Sequence, residues 1–491
     1  MNHNSHCLVH HVHGARVSAL HNSRIGVHGA DGRASGKKSN RDSHLAILFV
    51  FYLAYRDDGF GPGKQAWGYS EVRPGAFIFW WLYYAHSVVD DDPANIVEKP
   101  LIIWLQGGPG GSSTGYGNFE EIGPLDRTLH ERSHTWVNDY HVLFVDSPVG
   151  SGFSYTEDPS LLARNSSTVV SDLMAFLKDF YRTIERATSI DWEATVPLYI
   201  ASESYGGRTA VEFAYALDQA GRTGTVRCRL RGVFLGNAWL SPLDSIGAWP
   251  DYLHRMGYLG ERGRKRVERR VAAVREKVEQ QQLGKAMDGW HTLQDVILEE
   301  TGGLNCYHIL KPSGKEKFRK DENSDEVLEY GETEWWKSPD ATRRLSSLEA
   351  LMQGPVPQKL GLANRPPWGA QQNAVFDALS EDFLRSSVGT VERLLNETTI
   401  DLILYNGHLD LITCLPGTLA WIRRIFGQQE KPFHATREPF SDDGIDSVVE
   451  GYRSAFGPRF TLYTVLRAGH MVPADNPTAM AHILRAHIAP T

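Results

Sequence analysis

The sequence predicts an α/β fold in which a mostly parallel central sheet is flanked by helices. Apolar runs of strand length recur along the chain, and stretches with helical periodicity separate them. Three of these runs lead into a serine, an aspartate and a histidine, as expected where strand ends open toward a ligand crevice. The predicted strands span residues 77–84, 100–105, 141–145, 198–201, 232–235, 402–405 and 461–466.

The serine is Ser204, which follows the apolar run 198–201 and precedes Gly206 and Gly207. A strand that turns sharply into a helix presents a nucleophilic serine in this way. The sequence only approximates the G-x-S-x-G pattern, because Ser202 stands where the first glycine is usual. A plain Ser-Glu-Ser turn at a helix N-terminus explains the local sequence equally well.

The other two residues are Asp410 and His470, each just past its own apolar run. Alone, Asp410 fits an ordinary turn residue, since Asn406-Gly407 already signals a turn, and His470 fits an ordinary loop histidine. Together with Ser204 they follow the order Ser, Asp, His, which is that of the α/β-hydrolase fold. The sequence therefore predicts an α/β-hydrolase fold with a catalytic triad.

A glycine-rich loop follows the strand predicted at 100–105 and reads Gln106-Gly-Gly-Pro-Gly-Gly-Ser-Ser. Such a turn can direct backbone N–H groups at a developing oxyanion. A phosphate-binding loop and a plain tight loop are the alternatives. The Lys-Ser/Thr ending of a nucleotide-binding loop is missing, which disfavours a nucleotide.

These features taken together resemble the serine carboxypeptidases, and among them the retinoid-inducible branch. The resemblance extends from about residue 66 to the C-terminus. Its segments are 104–124, 145–155, the Ser204 turn, Gly236-Asn-Ala-Trp239, Asp410 and Gly469-His-Met471.

The resemblance implies a reaction through an acyl-enzyme on Ser204. His470 would act as general base and acid, and Asp410 would hold its imidazole in the correct tautomer. The backbone N–H groups of Gly108 and Tyr205 are the expected oxyanion donors. The expected activity is that of a serine carboxypeptidase. An acyltransferase or esterase on the same scaffold, and a binding protein without catalysis, are the alternatives.

The resemblance also implies that acidic side chains bind the free carboxylate of the substrate through shared protons. By position these acids are Glu203 and Glu121, with Trp104 and Gln106 beside them. Two carboxyl groups in contact retain a proton, so we expect activity to be favoured at acidic pH. A surface carboxylate at a helix N-terminus is the simpler interpretation of Glu203.

Two departures from the family pattern affect the expected site. Many members have asparagine at the position of Gln106 and cysteine at the position of Gly111. Both replacements are shared with the retinoid-inducible branch. They bear on the geometry of carboxylate binding and on the strength of peptidase activity.

The expected organisation is a leader, a core and an insertion. Residues 1–60 form the leader, residues 61–240 with 381–491 form the hydrolase core, and residues 241–380 form a cap. Valines at 267, 271, 274 and 278 predict an amphipathic helix in the cap, and 311–340 is rich in charge. Hydrolases of this kind place such a cap over the site.

The leader combines seven histidines within residues 1–42 with an apolar run at 45–55. We expect the histidine-rich part to be a disordered leader or an artefact of gene prediction rather than a metal site. The apolar run fits a signal-peptide core and is short for a membrane span. A retained anchor and a buried strand are the alternatives. Sequons at Asn165 and Asn396 are compatible with the secretory route, and a secreted, lysosomal or vacuolar location is expected.

Composition fits a large enzyme, with 491 residues and 41% hydrophobic content. A net charge of −8 argues against nucleic-acid binding. We expect no cofactor or metal, peptide or protein C-termini as substrates, no stable membrane span after processing, and a monomer or homodimer. The chain has four cysteines, Cys7, Cys228, Cys306 and Cys414, and a Cys228–Cys306 disulfide is the expected pairing.

Overall fold

A computed structural model of the chain describes residues 59–88, 93–312, 347–427, 437–441 and 448–488. The histidine-rich stretch, the apolar run at 45–55, Cys7 and nearly all of the charged segment 311–340 lie outside the described residues. The predictions made for them remain predictions.

Eleven described strands form one mixed sheet with the spatial order β1-β2-β4-β3-β6-β7-β8-β11-β10-β9, and β5 pairs with β2. The strands are β1 (Gln65–Arg73), β2 (Ala76–Tyr83), β3 (Leu101–Leu105), β4 (His141–Val145), β5 (Tyr155–Thr156), β6 (Pro197–Glu203), β7 (Arg229–Gly236), β8 (Asp401–Gly407), β9 (Arg437–Ser441), β10 (Val449–Ala455) and β11 (Phe460–Val465). The seven predicted strands are present within one to three residues at each end.

The six central strands are parallel and the outer ones antiparallel. The expected parallel sheet is thus the centre of a mixed one. The antiparallel pairs β1–β2 and β9–β10 form its outer edges. Of these four strands, only β2 was predicted from the sequence. The six parallel strands all end along the same side of the sheet. Ser204, Asp410 and His470 follow the carboxyl ends of β6, β8 and β11.

The central strands are apolar along their whole length because both faces of the sheet are covered. In β3, Ile103 and Leu105 pack into a core with α2 and α4, while Ile102 and Trp104 pack into a second core on the opposite face. Side chains alternate between faces with a period of two, so a continuous apolar run fills both cores.

The helices connect and cover these strands. They are α1 (Pro93–Val97), α2 (Ser166–Thr188), α3 (Trp192–Thr195), α4 (Tyr205–Arg222), α5 (Pro242–Arg255), α6 (Glu261–Glu279), α7 (Leu283–Thr301), α8 (Ser347–Gln353), α9 (Pro355–Lys359), α10 (Asn373–Ala378), α11 (Ser380–Phe383), α12 (Val388–Glu397), α13 (Leu415–Phe426), α14 (Val472–Asp475) and α15 (Pro477–His487). A π-helical segment, Ser113–Ile122, follows the glycine-rich loop.

The chain between β7 and β8 carries α5 to α12, and its described residues contain no strand. The amphipathic helix predicted there is α6, and it buries Val267, Val271 and Val274 beneath a charged outer face. The proposed cap limits, 241 and 380, remain a prediction.

The expected Cys228–Cys306 disulfide is wrong, because Cys228, Cys306 and Cys414 are all free thiols. Cys228 lies just before β7, at the amino end of that strand. Cys306 lies near the carboxyl ends of the strands, where its carbonyl accepts a hydrogen bond from the Leu411 N–H at 3.1 Å. The eight residues of β7 span roughly 25 Å, whereas a disulfide needs Cα atoms within about 7 Å.

Candidate active site

Ser204 lies on a tight turn between β6 and α4, with φ 57° and ψ −126°. A side chain other than glycine rarely adopts this conformation, and the turn exposes the hydroxyl at the tip. The two glycines that follow allow close packing beneath the turn. A methyl group at Gly206 would lie 2.2 Å from the Leu105 carbonyl oxygen, and one at Gly207 would lie 2.4 Å from the Ala238 Cβ.

Asp410 and His470 meet at the carboxyl ends of β8 and β11. Nδ1 of His470 donates a hydrogen bond to Oδ2 of Asp410 at 2.9 Å, and both side chains are buried. The carboxylate also accepts bonds from the backbone N–H groups of Ile412 and Thr413 and from the Thr413 hydroxyl. These donors fix the carboxylate so that one oxygen faces the imidazole.

The second ring nitrogen of His470, Nε2, is buried and makes no hydrogen bond among the described residues. His470 and Ser204 nevertheless line the same cavity. Nδ1 carries the hydrogen that bonds Asp410. In this tautomer of the neutral imidazole, Nε2 is the nitrogen that can accept a proton. Catalytic hydrogen bonds are often long without substrate and shorten in the complex.

The glycine-rich loop packs directly against the Ser204 turn. A methyl group at Gly107 would lie 2.5 Å from the Ser204 Cβ and 2.9 Å from the Tyr205 nitrogen. Tyr205 is the first residue of α4, so its N–H has no acceptor within the helix. Gly108 has φ 126° and lines the cavity beside Ser204. The two N–H groups expected to hold an oxyanion are therefore on adjoining loops at the nucleophile.

Gln106 joins two buried acids beside the nucleophile. Its Nε2 donates to Oε1 of Glu203 at 2.9 Å and to Oε1 of Glu121 at 3.2 Å. Its Oε1 accepts from the Trp104 indole at 2.7 Å. Because an indole N–H can only donate, this contact requires that the amide oxygen face Trp104 and the amide nitrogen face the acids. The four residues expected to bind a substrate carboxylate thus form one cluster.

Burial raises the pKa of Glu121 and that of Glu203, and the neighbouring Glu121 charge raises the pKa of Glu203 further. Glu203 is buried, so the alternative of a surface carboxylate is wrong. Oε2 of each acid is buried without a hydrogen-bond donor among the described residues. Two buried carboxyl groups that share one amide donor favour retention of a proton between them.

Asn237 follows β7 in the segment Gly236–Trp239, and the sequence indicated no role for it. Its Nδ2 donates to the backbone oxygens of Gly469 and His470 at 2.9 and 2.6 Å. Its Oδ1 accepts from the Gly407 N–H and from the Asn406 amide. Asn237 therefore holds the loops of Asp410 and His470 together. Its place directly after a parallel strand was the available signal.

The cavity at Ser204 has a volume of about 150 Å³. Its lining is polar at Gln106, Glu203, Ser204, Gln294, Gln371 and His470, while Trp239, Trp290 and Phe383 contribute aromatic surface. Trp290 comes from α7 and Phe383 from α11, and no motif in the sequence indicated that either would reach the site.

The remaining predicted sites lie outside the cavity. Asn165 and Asn396, the two sequon asparagines, are exposed, the first at the N-cap of α2 and the second within α12. In the described part of the chain, no three His, Cys, Asp or Glu side chains are grouped to hold a metal ion. No helix there has the length and apolarity to cross a membrane.

Comparisons with known proteins address the family and the fold of the chain. The family model for serine carboxypeptidases matches residues 58–489. Retinoid-inducible serine carboxypeptidase from Mus musculus is 37% identical over 434 residues, which cover 88% of this chain and 93% of the mouse protein. Serine carboxypeptidase-like 51 from Arabidopsis thaliana is 31% identical over 427 residues, which cover 84% of this chain and 90% of the Arabidopsis protein.

Among solved structures, Kex1(Δ)p, a prohormone-processing carboxypeptidase from Saccharomyces cerevisiae, matches with a TM-score of 0.69. The match covers 87% of this chain and 91% of the yeast chain at 22% identity, so it shows the shared fold. The α/β-hydrolase fold predicted from the sequence is confirmed. The chain belongs to the serine carboxypeptidase family and is a serine-type carboxypeptidase hydrolase.

Proposed function

We propose that the protein removes the C-terminal residue of peptides or proteins through an acyl-enzyme on Ser204. His470 Nε2 takes the hydroxyl proton as Oγ attacks the scissile carbonyl, and it later gives this proton to the leaving amine. Water then releases the acyl group by the reverse sequence of proton transfers. The bond from His470 Nδ1 to Asp410 supports this role, since it fixes the tautomer that leaves Nε2 basic.

The N–H groups of Gly108 and Tyr205 stabilise the oxyanion of the tetrahedral intermediate in this proposal. Their support is the close packing of the glycine-rich loop on the Ser204 turn. A preorganised donor of this kind typically contributes roughly 100- to 1000-fold in rate.

The observation that carries the exopeptidase assignment is the buried pair of acids that meets at Gln106, in which Glu203 directly precedes Ser204. With one retained proton, Glu203 and Glu121 can donate to a substrate carboxylate, and the Gln106 amide N–H group lies beside them. An internal peptide bond presents no such carboxylate. A pair that has lost its proton would instead repel the substrate, so binding weakens as pH rises through the raised pKa values.

The test is product release from N-blocked dipeptides with free or amidated C-termini, followed by mass spectrometry from about pH 4 to about pH 8. We expect the free acid to lose its last residue at low pH and the Ser204→Ala variant to be inactive. The amidated substrate should show a different pH profile. Cleavage of a small ester without cleavage of either peptide would instead favour an acyltransferase or esterase. A Ser204 that does not react with a fluorophosphonate would favour a binding protein.

The segment 241–380 serves as the cap in this proposal, because it supplies Trp290, Gln294, Tyr307 and Gln371 to the cavity lining. A route through the secretory pathway to the lysosome, the vacuole or the extracellular space is supported by the two exposed sequons and the apolar run 45–55. A monomer or homodimer stays a prediction, which light scattering at several concentrations would test.

A further inference from the structure

The cavity lining combines two chemically different sets of side chains, the acid cluster and a group of aromatic rings. Glu203 precedes the nucleophile and belongs to the acid cluster with Gln106. Tyr205 follows the nucleophile, and its ring stacks on Phe383 with centroids 6.2 Å apart. For a substrate whose carboxylate occupies the acid cluster, the aromatic part of the lining is the surface left for the residue on the other side of the scissile bond.

The second set consists of aromatic rings. The backbone N–H of Trp239 donates to the Ser204 carbonyl at 2.8 Å, and its ring stacks on Phe383 with centroids 5.0 Å apart. Trp290 meets Phe383 edge to face at 5.1 Å. These three rings form what we call the acyl pocket, since it faces the part of the substrate that becomes the acyl group. The charged residues of the cavity lining, Glu203 and His470, belong to the catalytic and carboxylate-binding part.

Gln294 is the polar side chain that α7 contributes to the cavity lining. It lies one helical turn after Trp290, so the two share a face of the helix. Gln294 is only 3% exposed, and its Oε1 is buried without a hydrogen-bond partner among the described residues. A buried carbonyl oxygen without a donor is unfavourable, which indicates that a ligand supplies the donor.

We propose that Gln294 determines specificity by binding the phenol of a tyrosine at the penultimate position of the substrate, an inference that rests on the proposed function. The aromatic walls, formed by Trp239, Trp290 and Phe383, suit an aromatic ring. The phenol can donate to the amide oxygen and accept from the amide nitrogen, so it satisfies either face of the amide.

This proposal predicts discrimination between two nearly isosteric side chains. Phenylalanine fills the same walls but leaves the Gln294 oxygen without a donor, and sites built to bind a substrate hydroxyl reject the analogue that lacks it. Lysine and arginine are disfavoured because the described residues that form the acyl pocket include no carboxylate to pair with them.

The experiment compares kcat/KM for N-blocked Tyr-Leu and Phe-Leu, both with free C-termini, at acidic pH. We expect the wild-type protein to prefer Tyr-Leu by at least about tenfold. The Gln294→Leu variant should lose or invert this preference while it retains Phe-Leu hydrolysis, which also shows that the variant is folded. Gln282→Leu, at the exposed start of the same helix, is the matched control and should keep the wild-type ratio.

Equal kcat/KM values for the two dipeptides, or a preference that Gln294→Leu leaves unchanged, would overturn this inference alone. If Gln294→Leu cleaved neither dipeptide, fluorophosphonate titration would count its active sites. Loss of both activities with Ser204 still fully reactive would also overturn the inference, since a specificity residue must act on one substrate. A wild-type protein that cleaved neither dipeptide would overturn the proposed function, and this inference with it.

Discussion

Tyr205 and Asp382 are joined by a buried hydrogen bond of 3.0 Å from the phenol to the carboxylate. The same carboxylate accepts from the Ser166 hydroxyl and forms an ion pair with Arg208 at 3.0 Å. The residue after the nucleophile is thereby fixed to α2, α4 and α11 together.

Replacement of Asp382 should therefore destabilise the protein. We expect Asp382→Ala to lower the free energy of unfolding by about 3 kcal/mol, because it leaves Arg208 buried without its closest carboxylate. Urea denaturation measures this change. Asp377→Ala, at an exposed position on the preceding helix, should change the value by less than about 0.5 kcal/mol. Equal effects of the two variants would show that the buried pair contributes little.

The acid pair should determine the pH dependence of substrate binding. Burial raises the pKa of both glutamates, so the wild-type KM for a free-acid peptide should rise once the pair loses its shared proton. Glu121→Gln keeps an uncharged donor at every pH, and its KM should rise less steeply. Steady-state kinetics across the pH range would check this, with an amidated substrate as control. An identical pH profile of KM in the variant and the wild type would contradict the assigned role.

The same pair should make the folded state less stable as pH rises. Both carboxyl groups hold protons more tightly in the folded protein than in the unfolded chain, whose glutamates have the ordinary pKa of 4.5. Their contribution is therefore fully present below about pH 4.5 and is lost as pH rises through the folded pKa values. Urea denaturation at several pH values should show a steeper decline for the wild type than for the Glu121→Gln/Glu203→Gln double variant. Parallel curves would argue against the raised pKa values.

Gly107 should be intolerant of any side chain because of its contact with the nucleophile turn. The added methyl of Gly107→Ala would lie 2.5 Å from the Ser204 Cβ, so the oxyanion donors must move. We expect kcat to fall by roughly 100-fold or more, with slower fluorophosphonate labelling. Gly284→Ala, on α7 with open space around it, should leave kcat unchanged. Near wild-type kcat in Gly107→Ala would show that the loop geometry does not position the donors.

Asn237 should act as a positioning residue. Asn237→Ala removes the amide that bonds both the Gly469 and His470 carbonyls, and it leaves the Gly407 N–H without its acceptor. We expect kcat to fall by roughly 10- to 100-fold, because a shift of about 1 Å in the base can cost this much. KM should change little, since Asn237 is not part of the cavity lining. Asn138→Ala, at an exposed position, is the control, and a rise in KM without a fall in kcat would contradict the assignment.

The sequence was informative wherever the signal was local. The apolar runs before Ser204, Asp410 and His470 predicted three strands, and the structure contains them at those positions. The glycines after Ser204 predicted the turn into a helix. The helix around Val267 followed from its periodicity in the same way. For Glu203, Glu121, Gln106 and Trp104 the family resemblance predicted a cluster, and their hydrogen bonds form one.

The sequence was uninformative wherever contacts join distant segments. The prediction of a Cys228–Cys306 disulfide was wrong because the two cysteines lie near opposite ends of the strands. Their separation in the sequence does not reveal this distance. No sequence pattern indicated that Gln294 and Phe383 would reach the site, and the segment that contains Asn237 contributed to the resemblance without indicating a role for this residue.

The sequence by itself thus predicted seven strands, the turn at Ser204 and the chain order Ser204, Asp410, His470, because backbone propensity and apolar periodicity act over a few neighbouring residues. Only the tertiary structure decided which side chains meet. The order β3-β6-β7-β8-β11 places five strand ends side by side, and Trp290 of α7 and Phe383 of α11 line the cavity at Ser204. Burial of apolar surface between segments far apart in the chain selects this arrangement, and no local pattern encodes it.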